Sequence, residues 1–353
     1  MNTKQHRYSA EELNRFVRRA LQSVGMPDED AQIVARLMTE IDLSGGDGHG
    51  IFRLPQYIQR IRDGGLNLNP KFKIERETEA MALLNGDNAM GHLVMQHAAD
   101  IAVNKARKSG VAWVGAKFSN HAGAAGVYAK LPLAEDMIGL YVAIGNANHL
   151  PPWGGIEMLL STNPIAVAVP ALKQKPIVLD MATTVAAYGK VKTAAQRGET
   201  MPEGWMIDKQ GKPLTDPKRA NEGFLLPIGG AKGYGLALIF GILAGTLNGA
   251  AFGRDVVDFN ADSKTTTNTG QFIVAINVAA FMDVDQFKRQ VDEVILTMKA
   301  SPTLPGFDQV RLPGEQSWKT YEERSKTGIP MHPSLHDKLS VLSKDLGIVG
   351  LSN

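Results

Sequence analysis

An α/β domain with helical regions at both ends is what this sequence predicts, and three observations carry the prediction. Through the middle of the chain, helix-period and strand-period apolar patterns alternate, as they do when helices cover a sheet. Before residue 70 and after residue 300 only helix-period patterns recur. GxGxxG is absent, and neither Gly189-Lys190 nor Gly211-Lys212 is followed by Ser or Thr, so neither a Rossmann first turn nor a P-loop is expected. The expected division is 1–70, a helical N-terminal region; 71–300, a central α/β domain; and 301–353, a helical C-terminal region packing back on the core.

Each element has its own signal. Ser9-Ala-Glu-Glu12 is a capping box that opens a helix, and Leu13, Phe16, Val17, Ala20 and Leu21 give it one apolar face. Gly25 stops it, and a second helix follows Pro27 through Ile33, Leu37 and Ile41. A third is expected from about Phe52 to Ile61, ended by Gly64-Gly65. Strands are expected near 71–76 and 80–84, at Val111–Ala116, Met137–Ile144, Ile165–Val169, Ile177–Leu179 and Phe272–Val278. Between and after them, helices are expected at 92–108, 121–135, 186–196, 232–249, 284–299, 317–327 and 334–346.

Composition narrows the function classes. A chain of 353 residues, 44% hydrophobic and 21% charged, is globular with a sizeable core. Its 38 basic and 36 acidic residues leave a formal charge of +2, too little to recommend nucleic acid or an anionic membrane, so a small molecule is the expected partner. No cysteine is present, which removes disulfides, zinc ribbons, iron–sulfur clusters and thiol catalysis and fits a reducing cytoplasm. The first residues lack the apolar run of a secretory signal, so a cytoplasmic protein is expected. HExxH, GxSxG and EF-hand patterns are missing, and no metal site is expected. From Gly233 to Gly253 no residue is charged, long enough for a membrane span, but six of those residues are glycine. The four-residue spacing of Gly241, Gly245 and Gly249 suits instead a buried helix packed tightly on a sheet.

Three glycine-punctuated segments remain as candidates for chemistry. In Gly46-Asp47-Gly48-His49-Gly50-Ile51-Phe52-Arg53, a loop histidine precedes an arginine on the first turn of a helix. That pair suits an acid substrate, the guanidinium clamping a carboxylate beside a titratable imidazole, although a loop histidine and a surface arginine are the plain alternative. Ser119-Asn120-His121-Ala122-Gly123-Ala124-Ala125-Gly126 takes a strand end into a helix N-terminus, where free amides can hold an anion or simply form a cap. Pro176-Ile-Val-Leu-Asp180-Met-Ala-Thr183-Thr184 ends an apolar strand in a carboxylate, where open α/β sheets bind ligands or where a helix is capped.

Taken together, HGIFRLPQY, SNHAGAAGVYA, STNPIAVAVP, PIVLDMATT with AYGK, GGAKGYGLAL, GQFIVAINV and LPGE ahead of GIP resemble the type-2 malate/L-lactate dehydrogenase family, the malate/L-sulfolactate dehydrogenase-like oxidoreductases. The match runs nearly the whole chain. It implies a non-Rossmann mixed sheet that binds a nicotinamide cofactor, NAD or NADP, and reversible hydride transfer with a small anionic 2-oxo or 2-hydroxy acid, malate- or lactate-like. Reduction of a cyclic imino acid, or a non-catalytic homologue that only binds cofactor or metabolite, are the alternatives. The resemblance implies His49 as proton donor and Arg53 as carboxylate clamp, with His121 touching substrate and nicotinamide and standing as the other candidate acid/base. It places cofactor contacts at Asp180, Met181, Ala182, Thr183, Lys232, Gly233, Pro313, Gly314 and Glu315, and it implies a homodimer. Lys190 stands near the point where imine-reducing members carry an acid, which leans towards an open-chain oxo acid and makes Lys190 a catalytic candidate. The chain departs from the family's Ser-His-Gly at Gly48-His49-Gly50, removing a hydroxyl for which Asp47 is the candidate replacement.

Overall fold

The computed structural model describes residues 6–352, apart from the side chains of residues 196 and 197. In chain order the elements are β1 (His6–Tyr8), α1 (Ala10–Ser23), α2 (Asp28–Leu43), α3 (Leu54–Arg62), β2 (Lys73–Glu77), β3 (Met81–Asn85), α4 (Gly91–Ser109), β4 (Val111–Ser119), α5 (Gly126–Ala129) and β5 (Met137–Ala143). There follow β6 (Ile165–Val169), β7 (Ile177–Met181), α6 (Tyr188–Arg197), β8 (Met206–Asp208), β9 (Gly223–Leu225), α7 (Ala231–Ala244), β10 (Thr269–Asn277), α8 (Val284–Lys299), α9 (Glu315–Thr327), β11 (Ile329–Met331) and α10 (Pro333–Leu346).

Seven strands form the central sheet in the order β2-β3-β4-β10-β5-β6-β7. Only β3 and β4 run parallel within it; the other five pairings are antiparallel, so the sheet is mixed and not a doubly wound one. Strand β10 lies at its centre, and its side chains alternate between two cores: Ile273 and Ala275 face α4 and α5, whereas Phe272 and Val274 face α7. The register brings Ser119, Thr269, Ala143, Ile165 and Met181 to one end of the sheet. That end carries the candidate site.

The helical ends meet each other. β1 pairs antiparallel with β11, and Tyr8, Ile329, Met331 and Leu339 share one core with Leu13, Phe16 and Tyr57. These short strands have no periodic signal of their own, since three residues define no period. Half of the capping box forms: Ser9 Oγ accepts the Glu12 N–H at 3.1 Å, while the Glu12 carboxylate accepts from Ser352.

Two expectations change. The helix expected over 121–135 is one turn of α5 followed by a 3-10 turn, because residues 120–125 are held by hydrogen bonds of the site. The glycine-rich helix α7 ends at Ala244, and no helix among the described residues is long and apolar enough to cross a membrane. Its buried face is Gly233, Ala237, Gly241 and Ala244, of which Ala244 packs on the sheet beside Val142, Ile165 and Phe272, as small residues allow. It is not buried all round: Leu236, Ile239 and Ile242 on the opposite face are 37%, 55% and 39% exposed.

Candidate active site

The loop between α2 and α3 is shaped by one buried carboxylate. Asp42, on the last turn of α2, accepts the Ile51 N–H at 2.8 Å. Burial pushes its carboxyl up to about 8. Gly50 must be glycine here, since a Cβ would lie 2.0 Å from Asp42 Oδ1. Arg324 of α9 reaches over, donating to the Asp42 carbonyl at 2.6 Å and to both carboxylate oxygens of Asp47. Asp47 is thereby engaged by Arg324, and among the described residues it makes no hydrogen bond to His49. Gly48 itself is open, with nothing within 4 Å of an added Cβ, and its carbonyl accepts Arg53 Nε at 2.9 Å.

This loop presents His49 to His121. The two imidazoles lie nearly parallel, 6° apart, with ring centroids 6.0 Å from each other. His121, just past the end of β4, receives the Gly123 N–H on Nδ1 at 3.2 Å and lies 2.6 Å from the Tyr57 hydroxyl through the same nitrogen. A backbone N–H can only donate, so Nδ1 is unprotonated and the ring proton sits on Nε2. Burial, then Arg53, His49 and His92, hold His121 well below the ordinary imidazole value. Burial and Arg53 also lower His49, to about 4. Behind them His92 sits edge-on to Tyr57 at 5.6 Å, fully buried, with neither ring nitrogen hydrogen-bonded and its value lowered to about 3 by burial.

Phe259 and Asn260 close the same site from a distant loop. Arg60 of α3, its side chain buried, fastens that loop by donating to the Asp262 carbonyl at 2.7 Å and to Asn120 Oδ1 at 3.1 Å. Phe259 stacks on His121 at 5.1 Å. Asn260 Oδ1 accepts from Lys192 Nζ at 3.1 Å and from Arg53 at 3.4 Å. His49, Arg53, His121, Asn146, His149, Tyr188, Lys192 and Asn260 thus line one cavity at the sheet end.

A second cavity, of about 270 Å³, lies on the other side of segments 46–49 and 123–126. Gly46, Gly126, Lys130, Asp180, Pro313, Gly314 and Trp318 line it. Asp180, its carboxyl raised by burial, accepts the Gly126 N–H at 2.8 Å, where a Cβ on Gly126 would lie 2.7 Å from its carboxylate. Gly314 adopts φ +85°, and a Cβ there would press on the Val178 carbonyl at 2.7 Å. Side-chain-free backbone beside the Asp180 carboxylate is a cradle that fits the ribose and phosphates of a dinucleotide.

Comparison with known proteins decides the family. The profile described as malate/L-lactate dehydrogenase matches residues 8–340. The chain belongs to the malate/L-lactate dehydrogenase family. A malate dehydrogenase of Pyrococcus abyssi is 40% identical over 98% of this chain and 96% of its own length. An L-sulfolactate dehydrogenase of Methanothermobacter thermautotrophicus is 38% identical over 97% and 98%. The solved structure of malate dehydrogenase from Pyrococcus horikoshii superposes with a TM-score of 0.90 at 36% identity, covering 98% of this chain and 97% of that one. This malate/L-lactate dehydrogenase family member is an NAD(P)-dependent oxidoreductase that transfers hydride between the cofactor and a small 2-hydroxy or 2-oxo acid.

The family's expected site residues fall into three groups in this member. His49, Arg53 and His121 come together in the first cavity, and Asp180, Pro313 and Gly314 in the second. Thr183 is a buried strut instead, donating its N–H and hydroxyl to the carbonyl of Thr162, whose residue lines the first cavity. Met181 and Ala182 are half-buried at the exit of β7 and line neither cavity, and Glu315 turns away to pair with Lys299 at 2.8 Å. Gly233 packs its backbone on Ile228, where a Cβ would meet a carbonyl at 2.2 Å, and Lys232 is exposed; neither lines a cavity.

Lys190 is exposed, and Lys192 faces the site in its stead. Two residues along a helix turn the side chain by about 200°, so only one of the pair can face the cavity. Sequence reasoning also missed Tyr57, His149, Tyr188 and Asn260. Tyr57 was readable, lying four residues after Arg53 on the same helix face. The His149 ring stacks on Tyr188 at 4.0 Å across a gap of 39 residues that no local pattern reports.

Proposed function

We propose that the enzyme interconverts a short 2-hydroxy acid and its 2-oxo acid, with Arg53 on the C1 carboxylate, His121 on the C2 oxygen and His49 as the proton donor. The observation that carries this reading is the parallel pair of imidazoles, 6.0 Å apart, opening on the same cavity as Arg53. Bound nicotinamide supplies at its C4 the hydride that C2 takes up in reduction. The second cavity is the place for the rest of the dinucleotide, held by Asp180, Gly126, Pro313 and Gly314.

The roles follow from the hydrogen bonds. His121, with Nδ1 committed as an acceptor, offers its Nε2–H to the C2 oxygen and polarises the carbonyl while staying neutral. Among the described residues the His49 ring makes no hydrogen bond, which leaves both nitrogens free to carry the proton to the forming alkoxide. Burial is the first cause that lowers both imidazoles and Arg53 the second, so a substrate carboxylate beside Arg53 offsets the smaller part and shifts His49 back towards its ordinary value.

Replacing His49 by Ala is expected to lower kcat by roughly 10²–10⁴-fold. Coenzyme binding, followed by quenching of NAD(P)H fluorescence, stays intact. Unchanged turnover in His49→Ala with loss in His121→Ala would move the acid to His121. The exposed stripe of Leu236, Ile239 and Ile242 on α7 supports a homodimer, and the absence of cysteine from the sequence supports a cytoplasmic setting.

A further inference from the structure

We infer that Lys192 joins Arg53 in gripping a single carboxylate, the C1 group of the 2-oxo or 2-hydroxy acid, and that the amide oxygen of Asn260 keeps the place of that carboxylate in the free enzyme. The inference rests on the dehydrogenase reading and adds a second cation to its substrate clamp. Two side chains that carry positive charge line the first cavity, Arg53 and Lys192, and no aspartate or glutamate lines it. Both donate to the same neutral oxygen, Oδ1 of Asn260, Arg53 through Nη1 at 3.4 Å and Lys192 through Nζ at 3.1 Å. The other oxygens that the Arg53 side chain meets are neutral as well, the Gly48 carbonyl and Gln56 Oε1, each at 2.9 Å. Among the described residues Arg53 Nη2 has no hydrogen-bond partner.

The Asn260 amide is fixed from behind. Asp258 accepts its side-chain N–H at 3.1 Å and its backbone N–H at 2.8 Å, so Nδ2 faces a carboxylate and Oδ1 is left to the two cations. Because both donor nitrogens reach one atom, they are spaced for one oxygen or for the two oxygens on one carbon. Burial first and Arg53 second depress the Lys192 ammonium, while Asp258 opposes them, so the two cations disfavour each other until an anion lies between them. A neutral amide oxygen relieves that repulsion only in part. An entering carboxylate displaces Asn260 Oδ1 and exchanges two contacts to a dipole for two charge-assisted ones, with Arg53 Nη2 the donor left for its second oxygen. Tyr188, its ring 5.6 Å from Lys192 Nζ, holds the ammonium at the cavity wall. With C1 gripped there, the C2 oxygen falls to the imidazoles of His49 and His121, which line the same cavity.

The test measures kcat and KM for oxaloacetate and 2-oxobutyrate, which share the C1 carboxylate and differ only at C4, with NADH and NADPH. The full-length wild-type enzyme is assayed beside Lys192→Met, Lys192→Arg and Asn260→Ala. A carboxylate contact made alike before and during hydride transfer is read in KM. Lys192→Met is expected to raise KM for both acids by the same factor, roughly 10–100-fold, with kcat changed by less than about threefold and Lys192→Arg recovering most of the loss. Asn260→Ala empties the place and leaves both cations, and it is expected to lower KM for both acids by about 2–10-fold. Coenzyme binding by fluorescence is expected to be the same in every variant. A rise confined to oxaloacetate puts Lys192 on the far end of the substrate and overturns the inference, as does no rise on either acid. An equal rise in Lys192→Met and Asn260→Ala means that Lys192 only fastens the 258–260 turn, which overturns it too. Absence of turnover by wild type with every 2-oxo acid, despite coenzyme binding, sinks the dehydrogenase reading itself and this inference with it.

Discussion

The Tyr57 hydroxyl lies 2.6 Å from Nδ1 of His121, the nitrogen that also receives the Gly123 N–H, so helix α3 and the exit of β4 together orient one imidazole. Tyr57 is fully buried, and burial pushes its own phenol upward, which keeps it a neutral donor. Tyr57→Phe removes the donor and leaves the ring shape. We expect kcat to fall by about tenfold, with coenzyme affinity unchanged, as His121 loses its orientation. Steady-state kinetics beside fluorescence binding check this; an unchanged kcat would show that Gly123 alone orients the ring.

The two glycines flanking His49 are expected to respond unequally to substitution. Gly50→Ala places a Cβ 2.0 Å from Asp42 Oδ1, and the resulting shift of Asp42 or the loop is expected to destabilise by at least about 2 kcal/mol. Gly48 has open space around its Cβ position, so Gly48→Ser is expected to cost less than about 0.5 kcal/mol while placing a hydroxyl next to His49. Urea unfolding of both variants measures the contrast.

Stability is expected to peak near pH 6.5 and to fall on the acid side. His49 and His149 are lowered to about 4, His92 to about 3, and His121 well below its ordinary value, all by burial first. Below 6.5 the unfolded chain takes up protons that these folded imidazoles refuse, so stability falls as pH falls, by up to about 1.4 kcal/mol per unit for each histidine. Asp42, raised to about 8, acts in the opposite sense: between its ordinary value and about 8 the folded state holds the extra proton, and stability falls as pH rises. Below 6.5 the four histidines outweigh it. Thermal melts from pH 4 to 9 show the shape; His92→Leu is expected to raise Tm most at acid pH, and Asp42→Asn to flatten the limb between 6.5 and 8.

The apolar stripe on α7 gives a test of assembly. Ile239, 55% exposed, lies between Leu236 and Ile242 on the helix face turned away from the sheet. Ile239→Asp is expected to convert a homodimer to a monomer in light scattering behind size-exclusion chromatography, with the far-UV circular dichroism unchanged. A wild-type monomer would end the proposal.

Much of the fold was legible because its elements are long enough to show a period. The strand at Ile165–Val169 and the helix at 284–299 match their expected bounds. Where tertiary contacts override the local pattern, reading failed: 121–125 are not helical because Asn120 and His121 are bonded to α3 and to the turn before α4. Asp47 could be placed near His49 but not assigned to Arg324, which lies on α9 at the far end of the chain.

By itself the sequence determined the alternation of elements and the absence of a Rossmann turn and singled out His49, Arg53 and His121 as candidates, because period, glycine positions and local motifs are properties of adjacent residues. Only the tertiary structure decided that Lys192 and not Lys190 faces the cavity lined by His49 and His121, that Tyr57 and Gly123 set the tautomer of His121, and that Asn260 joins the two cations. The physical reason is that a hydrogen bond depends on distance in space. The chain closes those distances only when a mixed sheet brings the ends of β4, β5, β6, β7 and β10 to one edge.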